Sequence, residues 1–168
     1  MRIDLLNAEQ ASTVEAALAD LLVDCVADGA SVGFLDTLSH NEACGWWRNA
    51  LHEPHSLTWA ARDDGGRIVG TVRLIPATPP NGRHRAEVAK LLVHPDARGR
   101  GYASALMCAL EDAARQLGRI VLMLDTQTGS LAEGLYQRWG WLRVGTVEDY
   151  ATTPDGRLAP TTFMTKRL

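Results

Sequence analysis

The sequence predicts an α/β fold built around a mixed β-sheet. Residues 88–125 follow the pattern strand, loop, amphipathic helix and strand, which is typical of a right-handed crossover between parallel strands. Residues 57–76 are typical of two strands joined by the Asp-Gly-Gly turn at 64–66, a hairpin signal. The 168 residues, 46% of them hydrophobic, can bury a core without disulfides. We therefore expect a single domain over residues 1–168.

The first third of the chain predicts one strand and two helices. The strand is RIDLL, and apolar residues at helical spacing follow it until Gly29, a helix stop signal. The apolar face of this first helix comprises Val14, Leu18, Leu21, Leu22, Cys25 and Val26. Ser39 and Glu42 form a capping-box pattern for the second helix, which closes before Pro54.

After the hairpin, strands alternate with helices. AEVAKLLV predicts a strand, and the helix after the loop HPDARGRG has one apolar face. That face comprises Ala103, Leu106, Met107, Leu110, Ala113, Ala114 and Leu117. RIVLMLD is apolar nearly throughout, as expected of a strand buried on both faces. A short helix in residues 130–139 and two closing strands complete the prediction.

Charge and hydropathy narrow the class of partner. The net charge of −3 supplies no predominantly basic face for nucleic acid, so we expect a small-molecule partner. The N-terminus lacks the apolar core of a signal peptide, and no apolar run reaches membrane-spanning length. We expect a cytoplasmic protein without a membrane partner.

The cysteines and histidines predict neither a disulfide framework nor a metal site. The three cysteines, Cys25, Cys44 and Cys108, are odd in number and widely spaced, which favours buried thiols in a reducing compartment. Five histidines show no paired metal-ligand spacing and are interpreted as surface or loop residues: His40, His52, His55, His84 and His94.

The loop HPDARGRG, which precedes the helix of the predicted crossover, carries the strongest chemical signal. A helix N-terminus presents unpaired N–H groups and partial positive charge, so it suits anions. Gly99 and Gly101 would let the backbone approach phosphate oxygens, and Arg98 and Arg100 would add charged donors. The alternative is a surface loop with a solvated arginine pair, but the amphipathic helix directly after it favours anion binding.

Three phosphate-binding patterns compete for this loop. A P-loop needs Lys-Ser/Thr after the glycines, whereas Tyr102 and Ala103 stand there. A dinucleotide-binding turn would use Gly99-x-Gly101, with Asp125 as the ribose ligand. However, Ser104 occupies its third small position, and HPDAR separates strand from glycines. The pattern R/Q-x-x-G-x-G/A is met in full, by Arg98, Gly101 and Ala103.

A second motif follows at a distance. The segment AEGLYQRWGW matches A-x-x-x-Y-x-x-x-G-F/W at Ala132, Tyr136, Gly140 and Trp141. With both motifs in this order, the chain resembles the GCN5-related N-acetyltransferases. The resemblance implies an α/β fold with a mixed, mostly antiparallel sheet of about seven strands, a parallel central pair and about four helices.

The resemblance also implies acetyl-coenzyme A as co-substrate. Its pyrophosphate would lie on the Arg-Gly loop, which comprises Arg98, Gly99, Arg100, Gly101, Tyr102, Ala103 and Ser104. If the two parallel strands splay as they do in the family, backbone N–H groups near Leu91, Leu92 and Val93 lose their partners. Those groups could then hold the pantetheine arm and the thioester oxygen.

Tyr136 would protonate the departing thiolate, as the equivalent residue can in the family. A phenol pKa of roughly 10 lies above a thiol pKa of roughly 8.5, so tyrosine keeps its proton until the thiolate develops. The alternative is an ordinary tyrosine with a packed ring and a wet hydroxyl. We expect Leu131, Leu135 and Trp139 to face the core, with Tyr136 beside them at the border of the cleft.

Two carboxylates are candidates for the base that removes the amine proton. Glu87 begins the central strand, and Asp125 ends the neighbouring parallel strand, where ligands gather in open sheets. Glu87 could instead pair with Arg85 or Arg83, and Asp125 could cap the turn that follows it. A carboxylate pair in a cleft can raise one pKa by mutual repulsion, which would help a base at neutral pH.

A narrower resemblance, to the tabtoxin-resistance acetyltransferases, rests on DGASVGF, PNG with RAEV, LDTQTGSLAE and TPDGRLAPT. It implies a small β-lactam amino acid as acceptor and Glu87 with Asp125 as the catalytic pair. Ser31, Phe34 and Trp46 are candidates for the acceptor pocket, and the family also allows a homodimer through the C-terminal strands. The competing functions are a non-catalytic acyl-coenzyme A sensor and a dinucleotide-binding domain.

Overall fold

The computed structural model describes residues 1–168, apart from the side chain of Ala8. Within that range it contains seven strands and four α-helices. In chain order they are β1 (Arg2–Leu6), α1 (Ala11–Ala27), α2 (His40–Leu51), β2 (Leu57–Arg62), β3 (Ile68–Pro76), β4 (Arg85–Val93), α3 (Tyr102–Gln116), β5 (Val121–Gln127), α4 (Leu131–Arg138), β6 (Leu142–Thr152) and β7 (Leu158–Arg167).

All seven strands join one sheet in the order β1-β2-β3-β4-β5-β7-β6. The pair β4–β5 is parallel, and every other neighbouring pair is antiparallel. The predicted crossover supplies the parallel pair through α3. The predicted fold class is therefore confirmed, including the parallel pair and the helix count.

Two apolar cores lie on opposite faces of the sheet. Helices α1 and α2 cover one face, where Leu18, Leu22 and Trp47 are fully buried. Helix α3 covers the other face with Leu106 and Leu110. The helix boundaries follow the predicted signals, because Ser39 and Glu42 form the capping box of α2, and Gly29, with φ of 93°, follows the end of α1.

Three burial predictions are wrong. Leu117, predicted on the apolar face of α3, is exposed, because it follows the last residue of that helix. Strand β5 buries Leu122 and Leu124 on the α3 side only, so it is not buried on both faces. Cys108 is exposed on α3, whereas Cys25 is buried as predicted.

His94 lies in the loop after β4, as predicted, but its side chain is not at the surface. It is buried, and its Nε2 lies 2.9 Å from the Arg67 guanidinium and 3.2 Å from the Asp24 carboxylate. Its Nδ1 accepts the Asp96 N–H, so a polar network explains why the ring is buried.

Strand β6 forms the exposed edge of the sheet. Most of its residues are exposed, including Leu142, Val144, Val147 and Tyr150. Its partner β7 has a buried Met164 facing the α3 core. The homodimer expected through these C-terminal strands stays a prediction.

Candidate active site

The parallel strands β4 and β5 separate part-way along their length. Their pairing runs from Arg85 with Val121 to Glu87 with Met123. Beyond that point β4 stays paired with β3, and β5 stays paired with β7 through Gln127. The described backbone therefore has an opening between the two central strands, immediately after Glu87.

Backbone N–H groups of β4 point into this opening. The His94 N–H donates to the Val69 carbonyl on β3 at 2.9 Å. Backbone groups of a strand alternate between its two edges, so the N–H groups of Val93 and Leu91 lie on the other edge. Val93 and Leu91 thus offer two donors to an extended ligand, whereas the N–H of Leu92 lies on the β3 edge, so the prediction that Leu92 also faces the opening is wrong.

The start of α3 lies at the end of β4 and carries further free donors. Gly99 and Gly101 have φ of 74° and 83°, a left-handed conformation that glycine adopts without strain. The first helical hydrogen bond joins the Ala105 N–H to the Gly101 carbonyl at 3.0 Å. The N–H groups of Tyr102, Ala103 and Ser104 therefore have no partner inside the helix.

The side chains of this loop differ in their availability. Tyr102 is buried in the α3 core, so only its backbone can face a ligand. Arg98 is bound to the chain itself, because it donates to Asp28 at 2.6 Å and to the Val93 carbonyl at 3.3 Å. Arg100 is exposed and has no ion-pair partner among the described side chains. Arg98 therefore anchors the loop to α1 and β4, and Arg100 is the cation left free.

Glu87 and Asp125 occupy the same face of the sheet. Their neighbours Val88 and Leu124 face the α3 core, so the alternation of a strand directs Glu87 and Asp125 to the α2 side. Neither carboxylate makes an ion pair or a side-chain hydrogen bond with the described residues. The alternatives open in the sequence are therefore not observed: Glu87 pairs with neither Arg85 nor Arg83, and Ser130, not Asp125, caps α4.

The surroundings of Glu87 make its carboxyl a weaker acid than that of an ordinary glutamate. Partial burial raises the pKa of its carboxyl above the ordinary value of 4.5, and the negative charge of Asp125 raises it further. Lys90 and Arg73 oppose this rise in pKa with their positive charges. A carboxyl with a raised pKa is a stronger base once it is ionised.

Tyr136 lies on α4 in an aromatic cluster below the opening. Its ring meets Trp139 and Trp141 edge-on, with ring centroids 6.0 Å and 5.7 Å away. Burial raises the pKa of its phenol above 10.0, and the charge of Asp125 acts in the same direction. The raised pKa keeps the phenol protonated at neutral pH, and because its hydroxyl makes no hydrogen bond with the described residues, the O–H can donate to a ligand.

The predicted core face of α4 is right for Trp139, which packs against the α3 core, and wrong for Leu131, which is 86% exposed. Tyr136, predicted at the border of the cleft, is only 7% exposed, and Ala132 packs against the α3 core. The core-facing set is thus Ala132, Tyr136 and Trp139. An apolar residue at the first position of a short helix faces solvent here because Ser130 and Glu133 set the helix start through a capping pair.

Aromatic residues from two segments form one wall beside the carboxylates. Trp46 on α2 meets Phe34 edge-on at 5.6 Å between ring centroids, while its neighbour Trp47 is fully buried. Two cations of the sheet face Trp46, since the Arg73 guanidinium lies 5.6 Å and the Lys90 ammonium 5.0 Å from its ring. Ser31 lies in the same loop as Phe34 and makes no described hydrogen bond.

Arg73 and Lys90 are the residues that the sequence analysis missed. A lysine within the apolar strand AEVAKLLV and a buried arginine within IVGTVRLIP were the available signals. Both interrupt runs whose other members face a core.

Among the described side chains, no group of three or more His, Cys, Asp or Glu could hold a metal ion. None of the described helices combines the length and apolarity required to cross a membrane.

Comparisons with known proteins agree with this architecture. Residues 16–141 match the model of the Acetyltransferase (GNAT) family, so the chain belongs to that family. It is 34% identical to N-acetyltransferase 8 of Rattus norvegicus over 110 residues, which are 63% of this chain and 48% of that protein. The chain thus spans about half the length of the curated relatives it matches.

Solved structures share the fold along the whole chain. A GCN5-related N-acetyltransferase from Kribbella flavida has a TM-score of 0.79 and 25% identity, covering 99% of this chain and 98% of that one. A protein from Salmonella typhimurium, solved with its cofactor acetyl-CoA, has a TM-score of 0.76 and 19% identity, covering 100% of this chain and 94% of that one. This second likeness shows the fold.

Proposed function

We propose that the protein is an acetyl-CoA-dependent N-acetyltransferase that acts on the amine of a small amino-acid-like molecule. The observation that carries the proposal is the opening between β4 and β5. It lies beside the free N–H groups of α3, and Glu87 and Asp125 flank it on the α2 side. The chain's family and the acetyl-CoA in a structure of the same fold support this assignment.

The loop before α3 fits a pyrophosphate. Residues 98–104 would hold it through free backbone donors, the two left-handed glycines and the Arg100 guanidinium. The N–H groups of Leu91 and Val93 would bind the amide-rich pantetheine arm as a short β-strand pairs with an edge. Acetyl-CoA supplies the thioester whose carbonyl carbon the amine attacks.

Glu87 then accepts the proton that the amine must lose, directly or through water, with Asp125 keeping the pKa of Glu87 raised. The new C–N bond forms as the C–S bond breaks. A β4 backbone N–H would bind the thioester oxygen while negative charge develops there. Tyr136 gives its phenolic proton to the departing thiolate and then takes a proton from solvent, while the proton held by Glu87 returns to solvent, so both residues regain their starting protonation states.

The acceptor is proposed to be small and amino-acid-like because of the resemblance to the tabtoxin-resistance enzymes, and Phe34 and Trp46 would form an aromatic wall of its pocket. A β-lactam amino acid, as in the tabtoxin-resistance enzymes, is the first acceptor to assay. Four segments of sequence support this narrower relationship, among them DGASVGF, which carries Phe34, and LDTQTGSLAE, which carries Asp125.

Thermal shift with acetyl-CoA, adenosine diphosphate and NAD tests the coenzyme. A ligand at 100 times its dissociation constant adds about 2.7 kcal/mol to the free energy of unfolding. We expect a selective rise with acetyl-CoA, followed by amine-dependent release of free thiol. A rise with NAD alone would overturn the proposal in favour of a dinucleotide-binding domain. Binding without thiol release for any amine would favour the sensor, although a sensor has no need of Glu87 and Asp125.

A further inference from the structure

Lys90 occupies an irregular point of the central strand. Thr71 of β3 pairs with Leu92 of β4, and Arg73 pairs with Ala89. The two residues of β3 are two positions apart, whereas their partners in β4 are three positions apart. One extra residue is therefore inserted in β4, and Lys90 there has a φ of 52°. A non-glycine residue in this left-handed conformation is strained, and residues of this kind cluster at functional sites.

The bulge directs Lys90 to the face that carries Glu87. Before it, Ala86 and Val88 face the α3 core, whereas after it Leu92 faces the α1–α2 core. The insertion reverses the alternation, and the Lys90 ammonium points to the α2 side, 5.0 Å from the Trp46 ring and 5.7 Å from the Phe34 ring. Lys90 and Glu87 thus share one face of the acceptor pocket.

The ammonium of Lys90 lacks a hydrogen-bond acceptor. It has three donors, and the described residues place neither a carboxylate oxygen within 4.0 Å nor any hydrogen-bond partner on it. The two aromatic rings offer attractive faces but no lone pairs. Burial and the charge of Arg73 lower the pKa of Lys90 below its ordinary value of 10.5, while Asp125 and Glu87 oppose this change.

The second cation of the pocket, Arg73, is paired within the chain through its Nη2, and its Nε donates to the Thr58 hydroxyl at 3.3 Å. Its Nη2 donates to the Ala50 carbonyl at 2.8 Å, to Glu53 at 2.6 Å and to Ser56 at 2.9 Å. These bonds fix α2 to the sheet and balance the guanidinium charge. Of the two cations, Lys90 is therefore the one whose charge has no carboxylate partner among the described side chains.

We propose that Lys90 binds the acidic group of the acceptor, so that the acceptor is a molecule carrying a carboxylate or a comparable anion as well as its amine. The proposal rests on the proposed function, which places the amine at Glu87. Glu87 and Lys90 are three residues apart on β4, and the bulge between Ala89 and Leu92 brings both side chains to the same face of the sheet. One end of the pocket would then accept the amine proton, and the other would hold the anion.

Lys90 therefore selects the acceptor, and it does so in two ways. An acid-bearing acceptor would gain a charge-assisted hydrogen bond in a site partly shielded from water. An acceptor with a second cationic group in place of the acid would meet both Lys90 and Arg73 and be rejected by like charge. The aromatic rings of Phe34 and Trp46 hold the ammonium in position until the anion arrives.

The chain offers a direct measurement, because Lys90 and Lys166 are its only lysines. Protein labelled with ¹⁵N-lysine gives two side-chain signals, and a Lys166→Arg variant assigns them. Lys166 pairs with Glu111 at 2.6 Å on the far face of the sheet and serves as the internal control. The probes are L-amino acids, their α-amides and the corresponding decarboxylated amines, each added to protein saturated with coenzyme A.

We expect at least one amino acid to shift the Lys90 signal while its amide and its amine do not, with the Lys166 signal constant throughout. If none of the acids shifts the Lys90 signal, the proposal is overturned. Equal shifts with the acid and the amide overturn it as well, because Lys90 would then respond to occupancy of the pocket instead of to the anion.

Steady-state kinetics separate recognition from a general electrostatic role. In Lys90→Gln, KM for the acid-bearing acceptor should rise about 10- to 100-fold, with a smaller change in kcat, and Lys90→Arg should restore part of the loss. KM for the matching amine should stay within about twofold. An equal loss of kcat for both acceptors would show that Lys90 only tunes Glu87 and would overturn the proposal. If the unaltered protein does not bind acetyl-CoA, that result would instead count against the proposed function itself.

Discussion

The loop before α3 and the acceptor face of the sheet differ in how the chain brings their groups together. The loop takes its donors from consecutive residues, 98–104, at a single helix start. The acceptor face takes Glu87 and Lys90 from β4, Asp125 from β5, Arg73 from β3 and Trp46 from α2. Local geometry is therefore enough to build the first region, whereas the second exists only once the sheet has formed.

The difference has an energetic side. The loop side presents backbone donors and an exposed arginine, so its interactions are partly screened by water. The acceptor face presents half-buried charges, and those charges shift one another's pKa. We therefore expect substitutions on the acceptor face to change the rate and its pH dependence, and substitutions in the loop to change coenzyme affinity.

The largest effect is expected for Glu87→Gln. Removing a general base should lower kcat about 10²- to 10⁴-fold near neutral pH while acetyl-CoA affinity stays within a few-fold. Only the ionised carboxylate is a base, so kcat/KM of the unaltered enzyme should rise with pH through the raised pKa of Glu87, above 4.5, and level off beyond it.

The same pH profile in Glu87→Gln should lose that acidic limb. Asp125→Asn is the matched variant. It removes the neighbouring negative charge, so it should shift the limb towards lower pH and reduce kcat less than Glu87→Gln does, if Glu87 is the main base. An unaltered profile in Glu87→Gln would remove Glu87 from the role of base.

The next largest effect is expected for the double variant Arg98→Ala with Arg100→Ala. One charge-assisted hydrogen bond from Arg100 contributes roughly 1.5–3 kcal/mol, and loss of the Arg98 anchor loosens the loop, so we expect acetyl-CoA affinity to fall about 10²-fold. Calorimetric titration measures it. Arg115→Ala, near the C-terminal end of α3, is the matched control and should leave affinity unchanged.

The single variants separate coenzyme binding by Arg100 from anchoring of the loop by Arg98. Arg100→Ala should lose affinity without losing stability, because Arg100 binds no described side chain. Arg98→Ala should also lower the free energy of unfolding, because Arg98 joins the loop to Asp28 and Val93. Undiminished affinity in the double variant would contradict the assignment of the phosphate loop.

The same contrast explains what the sequence could predict. The two motifs and the crossover pattern identified the fold, the loop and the candidate carboxylates, because each depends on neighbours in sequence. Lys90 and Arg73 escaped prediction, since their meeting with Trp46 depends on a bulge and on how α2 docks. Leu131 was misplaced for a similar reason, because the phase of a two-turn helix is set by its cap and by what packs beneath it.

A smaller effect is expected for Tyr136→Phe, which lies between the two regions. A thiolate with a pKa of roughly 8.5 leaves without much help, so kcat should fall about 10- to 100-fold, at the lower end of general acid catalysis. Stability should change little, because the hydroxyl makes no hydrogen bond with the described residues. Tyr150→Phe, on exposed β6, is the control in the same assay. A kcat equal to that of the unaltered enzyme would leave the thiolate to take its proton from water.

The smallest effect concerns the backbone of the loop alone. A Cβ at Gly101 would meet nothing within 4 Å, so Gly101→Ala should cost only the strain of a left-handed alanine at φ of 83°, about 1 kcal/mol of unfolding free energy. Gly45 in α2 also has open space around it but a helical backbone, so Gly45→Ala should stabilise the protein by about 0.5–1 kcal/mol. Denaturant unfolding of the two variants measures both changes. Opposite signs would show that the loop is built by backbone conformation, whereas equal signs would mean that Gly101 is free to leave its left-handed state and that the loop is not preformed for its ligand.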